Sequence, residues 1–418
     1  MSASSKVISI AQMAQQSSAV LSVTSPADRS QLIAAIADAI AQRRDDILEA
    51  NTLDLEISRE MAVPDLLVDW LKLTPERLQS ATQLLEQLSH APDPLFTTER
   101  VAESVVACEA YGIRKALGTI AFVYEAFPEL AAIAAGFCIR TGNVLILRGG
   151  SEASSSNRMM TDVIQAVLED ADLPQGCVQL IAASEGETLR ELLTLDDYIN
   201  LVIPYGRSSL IQKVAKQATV PMLTTAMGNC YLFWSLTGSV DHVQHMIVDS
   251  HQSEPDPVNA IDHVLIHRGC NSGAIASLFG DLKTKGFKLK GAQDLSDKIP
   301  GIEPVKDADW SQASLSRTIS FMYVDCLDDA MSWINRHSSG HADAIVTESY
   351  VESRQFATHV TSNNIYINAS PRFYRHHPQT GSMTLAVSNQ SNQCQGLIDL
   401  NALTSVQRVT QSHTSTGR

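Results

Sequence analysis

The chain has 418 residues, 44% hydrophobic and 18% charged, enough apolar content for a large core and enough to exclude an intrinsically disordered protein. Its 31 basic residues against 46 acidic ones leave a formal net charge of −15, a field that repels phosphate backbones and anionic lipid and argues against nucleic-acid and membrane-surface partners. Seven scattered cysteines (Cys108, Cys138, Cys177, Cys230, Cys270, Cys326 and Cys394) show no Cys-x-x-Cys spacing, so neither a zinc site nor a disulfide framework is expected.

The first residues lack the apolar core of a signal peptide. The most apolar stretch, Leu130 to Ile139, is far short of the roughly 18 residues a membrane span needs. A cytoplasmic protein is expected. The first ninety residues read as helices. Ser25 suits an N-cap, Pro26 the first helical position and Asp28 the first turn. Leu32, Ile33, Ile36 and Ile40 recur at helical spacing, and Ile47 and Leu48 continue the stripe. A second helical block follows Thr74-Pro75, with Leu78, Leu84, Leu85 and Leu88 on one side, and a turn is expected over residues 90–95.

From Tyr111 onward short apolar runs alternate with helical stretches. Runs at 118–124, 143–147, 177–181 and 200–203 read as strands, with a helix over 157–170. A second such region has runs at 263–266, 319–323, 344–346 and 365–367. Strands alternating with helices predict an α/β fold with parallel sheets and crossovers. After Phe373 the chain turns rich in Gln, Ser, Thr, Asn and His, and its periodicity weakens.

Two strand-to-helix turns carry the binding chemistry. In the first, residues 142–157, a strand ending at Leu147 meets Arg148, Gly149, Gly150, Ser151 and Glu152, and a helix follows. Free amides and the helix dipole at such a junction favour an anion. Arg148, at the carboxyl end of a strand, could pair with a phosphate, including the 2′-phosphate that separates NADP from NAD. The second turn, with Gly206, Arg207 and Ser208, repeats the pattern, and two such turns suit a dinucleotide spread over several strand ends. The plain alternative for each is an ordinary connection with a surface arginine.

The segments LGTIAFVYEAFPE at 117–129, GNVLILRGGSEA at 142–153, DDYINLVIP at 196–204, SSGHADAIVTES at 338–349 and INASPRF at 367–373 resemble the γ-glutamyl phosphate reductases, a branch of the aldehyde dehydrogenase superfamily. The resemblance implies an aldehyde dehydrogenase-like fold: helices and a Rossmann-like cofactor domain over 1–225, a catalytic-type α/β domain over 226–365, and a return with a divergent C-terminal, oligomerisation-type segment over 366–418. It further implies NADPH as cofactor and reduction of glutamyl 5-phosphate to the semialdehyde in proline synthesis. In that reaction a cysteine thiolate catches the acyl group, because sulfur is both a strong nucleophile and an acceptable leaving group.

At the nucleophile the likeness breaks. The family's Gln-Arg-Pro-Gly-Val-Cys-Asn-Ala-like run stands here as Ser253-Glu-Pro-Asp-Pro-Val-Asn-Ala260, so its cysteine position is Val258 and its arginine Glu254. A Glu-His-Gly-Asp-Gly-x-Cys-His-like run has become residues 224–231, which keep Gly228 and Cys230 and lose both acids and both histidines. Phe127 and Glu129 replace the family's arginine and asparagine, and its Arg-Gly-Gly turn is Tyr205-Gly206-Arg207. The family's glycine-rich tail finds no counterpart in residues 374–418.

Substitutes for the missing nucleophile are weak. Cys138 and Cys230 fall where relatives carry cysteine without using it, and read as small buried hydrophobes. His251 reads as a solvated side chain, His341 as structural, and the cluster Arg372, Tyr374, Arg375, His376 and His377 as an exposed loop. The resulting expectation is a disabled reductase-like protein with no catalytic residue, in a binding, regulatory or structural role within a homo- or hetero-oligomer, with NADP(H) binding possible. The alternative is a working NADPH-dependent reductase of the same family.

Overall fold

A computed structural model describes residues 3–100, 108–183, 188–252, 257–390 and 396–412. The chain forms two compact units: residues 1–224, 375–386 and 397–418 make the first, residues 225–374 and 387–396 the second.

Unit 1 opens with five helices, α1 (Ala3–Leu21), α2 (Pro26–Gln42), α3 (Arg44–Glu60), α4 (Asp65–Leu71) and α5 (Pro75–His90). Ser25 caps α2 by accepting the Asp28 amide at 3.1 Å, and Thr74 caps α5 through the Arg77 amide at 3.2 Å. The expected stripe is buried at Leu32, Ile33, Ile36 and Ile40, but a new helix starts at Arg44, so Ile47 begins a second stripe. Ser25→Ala is expected to cost about 1 kcal/mol, read by chemical denaturation, because it orphans a first-turn amide.

Strands β1 (Thr98–Arg100) and β2 (Cys108–Ala116) pair antiparallel, and the last strand, Thr404–Ser412, lies on the far side of β2 over its whole length. Within the stretch after Phe373, which has no visible periodicity, Thr404–Ser412 is therefore a strand through backbone pairing with a strand almost three hundred residues earlier. Four parallel strands follow in unit 1: β3 (Thr119–Tyr124), β4 (Val144–Arg148), β5 (Val178–Leu180) and β6 (Leu201–Tyr205). They are joined by α6 (Leu130–Arg140), α7 (Ser154–Asp170) and α8 (Thr188–Leu192), and α9 (Ser208–Gln217) leaves β6. Every residue of α6, the most apolar stretch, is buried.

The strand order is β5-β4-β3-β6. The chain leaves β3 toward β4 on one side, whereas β6 lies on the other, so the order reverses between β3 and β6. In open α/β sheets that reversal is where a ligand crevice forms, outside the carboxyl ends of the strands.

Unit 2 carries a seven-stranded parallel sheet from β7 (Cys230–Trp234), β8 (Ile261–His267), β9 (Lys288–Gly291), β10 (Glu303–Pro304), β11 (Thr318–Val324), β12 (Ala342–Val346) and β13 (Asn364–Ile367), in the order β10-β9-β11-β8-β7-β12-β13. Apolar clusters cover both faces, one around Val264, Phe279 and Phe321, the other around Phe233, Leu265 and Phe356. No helix among the described residues is long and apolar enough to cross a membrane.

Candidate functional site: two polar clusters and the residues that fill them

In unit 2 the short segment before β8 brings Val258 into the interior, where its side chain is fully buried. Its carbonyl accepts the Gly228 amide at 2.8 Å and lies 2.7 Å from His341 Nε2. A carbonyl cannot donate, so Nε2 carries the proton and Nδ1 accepts from Ser339 Oγ at 2.7 Å. Cys230 Sγ is the nearest thiol, 3.4 Å from the same Nε2.

This cysteine–histidine contact is not an activated pair. Burial pushes the Cys230 thiol well above its ordinary range, and Asp343 and Asp262 push it further. Burial holds His341 neutral by lowering it to about 4. With its Nε2 proton already aimed at a carbonyl, the ring cannot take one from sulfur, and thiolate character is what nucleophilic cysteine needs. Cys138 and Cys177 are also buried and raised by desolvation.

Two carboxyl groups flank the start of β7 at Cys230. Asp262 accepts the amides of Asn229 and Ser314, each at 2.8 Å. Asp343 accepts the Tyr231 amide at 2.7 Å, Ser338 Oγ at 2.6 Å and Ser362 Oγ. Burial pushes both up to about 7, against the pull of those donors. Tyr231 stacks on His263 at 4.6 Å, and burial drops that imidazole to about 3. Asn259 donates to the Pro371 carbonyl at 2.7 Å.

His251 corrects the sequence reading. It is buried rather than solvated, with Nδ1 3.0 Å from the Ile247 carbonyl one turn back in the preceding helix and its ring edge-on to Phe287. The basic cluster at 372–377 also divides. Arg372 pairs with Asp249 at 3.2 Å within unit 2, whereas Arg375 donates to Tyr205 Oη at 3.0 Å within unit 1. His376 and His377 are half-buried in a turn, where His377 Nδ1 accepts the Gln379 and Thr380 amides at 3.3 and 3.2 Å. Glu254 lies outside the described residues.

In unit 1, Arg148 ends β4 and Gly149, Gly150, Ser151 and Glu152 follow it, and Gly206, Arg207 and Ser208 follow β6. Arg148 folds back on the Gly149 carbonyl and reaches the Ala183 carbonyl at 3.4 Å. A side chain at Gly149 would strike Asn157, which Tyr124 Oη holds at 2.8 Å. Glu152 accepts the Ala126 amide at 2.6 Å. The start of α7 is already capped: Asp54 accepts the Ser155 and Ser156 amides at 2.9 and 2.7 Å, and Ser156 Oγ at 2.7 Å.

The crevice between β3 and β6 is bridged by Glu125. It receives Arg207 through Nε and Nη2, each at 3.0 Å, and through the Arg207 amide at 2.5 Å. Gly206, at φ +144°, is needed because a Cβ would strike Glu125. Phe127, fully buried, stacks on Trp70 at 4.8 Å and meets Tyr205 edge-on at 5.7 Å. Glu129 pairs with Arg77 at 2.5 Å. Thus both residues that depart from the reductase pattern in this segment are absorbed into unit 1's own packing. A dinucleotide phosphate needs free donors and a surplus of positive charge. Here Asp54, Glu125 and Glu152 already occupy several of those donors, so these residues do not fit the NADPH that the resemblance implies.

Sequence reasoning missed Asp54, Glu125, Asn157, Asp262 and Asp343. Glu125 had a usable signal, an acidic residue directly after a mostly apolar strand. Asp54 had none, since its partners lie about a hundred residues away in sequence.

Residues 1–229 match the aldehyde dehydrogenase family. The chain is 44% identical over 385 residues, 92% of both proteins, to gamma-glutamyl phosphate reductase 2 of Synechocystis sp.. It is 32% identical over 399 residues to the gamma-glutamyl phosphate reductase of Gloeobacter violaceus, covering 96% of this chain and 95% of that protein. The crystal structure of gamma-glutamyl phosphate reductase from Thermotoga maritima superposes with a TM-score of 0.89 at 27% identity, over 99% of this chain and 100% of the other. An acetylating aldehyde dehydrogenase from Geobacillus thermoglucosidasius shares the fold at 13% identity and TM-score 0.70, over 100% and 98% of the two chains. The chain belongs to the gamma-glutamyl phosphate reductase family, with the aldehyde dehydrogenase-like fold.

Proposed function

We propose that this chain is a catalytically disabled gamma-glutamyl phosphate reductase-like protein that acts as a binding, regulatory or structural subunit of a homo- or hetero-oligomer. The observation that carries the reading is Val258: the resemblance sets the nucleophile there, and an isopropyl group buried in the core cannot catch an acyl group. The nearest thiol, on Cys230, is held protonated against a neutral imidazole. Loss of the nucleophile of a covalent enzyme lowers turnover by roughly a millionfold.

The test offers the purified full chain glutamyl 5-phosphate with NADPH, and the semialdehyde with NADP in reverse. Turnover near background is expected. An ordinary rate, on the order of 1 s⁻¹ or more, would establish the second reading, an active reductase like the protein named as one that it matches at 44% identity. Thiol labelling gives an independent prediction. In the folded protein, Cys138, Cys177, Cys230 and Cys270 are expected to resist iodoacetamide at neutral pH, since desolvation raises all four. Peptide mapping that finds one of them alkylated fastest would identify a working nucleophile.

A further inference from the structure

We infer that the ligand crevice of unit 1, at the reversal of strand order between β3 and β6, is closed to nicotinamide dinucleotides by the chain's own Glu125–Arg207 ion pair and Trp70–Phe127–Tyr205 aromatic cluster. Three observations meet there. The guanidinium of Arg207 is held by both carboxylate oxygens of Glu125, in the forked geometry that a phosphate would otherwise take. The Arg207 and Ala126 amides, which point to the carboxyl ends of β6 and β3, are given to Glu125 and Glu152. Beneath them Phe127 and Tyr205, both essentially without exposure, fill the floor.

The charge count at the crevice points the same way. Arg148 and Arg207 are matched by Glu125 and Glu152, and Arg207 gains charge stabilisation from both acids. An incoming pyrophosphate would have to displace a carboxylate bonded at three places and leave it unpaired in a buried site, which is costly. The exposed start of α9 at Ser208 and Ser209 follows directly on Arg207, whose amide is given to that same carboxylate.

This inference goes beyond the disabled-enzyme reading and fails separately from it: binding without turnover would defeat the closure alone. The experiment titrates the full-length wild type with NADPH and with NADH by calorimetry, up to about 1 mM. No saturable heat is expected from either. Saturation with a Kd below about 100 µM would overturn the closure. Glu125→Ala frees the Arg207 fork and the amide together. At unchanged circular dichroism, it is expected to gain at least about tenfold in NADPH affinity over the wild type. A folded Glu125→Ala variant as silent as the wild type would show that this ion pair is not what closes the crevice.

Discussion

Phe127→Ala is expected to lower the stability of unit 1 by about 3–5 kcal/mol, the range for removing a large buried aromatic ring. The ring is fully buried between Trp70, stacked at 4.8 Å, and Tyr205, edge-on at 5.7 Å. Trimming it leaves a cavity that two rigid aromatics cannot collapse into, so the cost falls at the high end of such substitutions. Urea unfolding followed by tryptophan fluorescence reads it, with Trp70 reporting locally. Phe127→Arg should cost at least as much, because it puts a cation in the fully buried place of an aromatic ring. A Phe127→Arg protein within about 1 kcal/mol of the wild type would mean that the crevice floor has room for a charged side chain, contrary to the packing.

The second large effect is a reversal in how stability responds to pH. Asp262 and Asp343 sit at about 7 in the folded protein, above the ordinary value of about 3.9 in an unfolded chain. Each therefore contributes stability that is complete below about pH 4 and lost as pH rises through about 7. His263 and His341, at about 3 and about 4 when folded, behave oppositely. Their contribution is complete above about pH 6.5 and lost as pH falls toward those values. Between about pH 4.5 and 6 the unfolded chain holds two extra protons on histidine and the native protein two on aspartate, so these four groups cancel.

Asp262→Asn removes one term from that balance while keeping an acceptor for the Asn229 and Ser314 amides. Relative to the wild type, its stability should rise by about 1.4 kcal/mol per pH unit across the window, or about 2 kcal/mol in total. Parallel urea titrations at pH 4.5, 5.25 and 6 measure the difference directly, because every other titrating group is common to both proteins. A difference that stays constant with pH would mean that Asp262 is ionised throughout.

Much of the architecture was open to reading from local pattern. Every strand expected between residues 118 and 367 is present within about two residues of its bounds. The Ser25 and Thr74 caps act through the amides that their spacing suggests. What local pattern could not reach was pairing across long stretches of chain. The strand Thr404–Ser412 is polar on its surface and has no apolar alternation, and only its ladder with β2 makes it a strand. His251 looked solvated because its neighbours in sequence are polar, yet at the end of its helix it packs onto Phe287, a residue far along the chain.

The chain's own residues, taken alone, determined the succession of helices and parallel strands and the valine where relatives' motifs carry sulfur. These are properties of residue type and spacing, which a linear reading retains. Whether a charged or polar side chain is available to a ligand was decided only in three dimensions. Arg207 and the Ser155 and Ser156 amides looked like anion-binding groups in sequence, and folding delivers Glu125 and Asp54 to them. The physical reason is that hydrogen-bond satisfaction in a buried site is a property of everything brought within about 3 Å, and that neighbourhood is drawn from segments far apart along the chain.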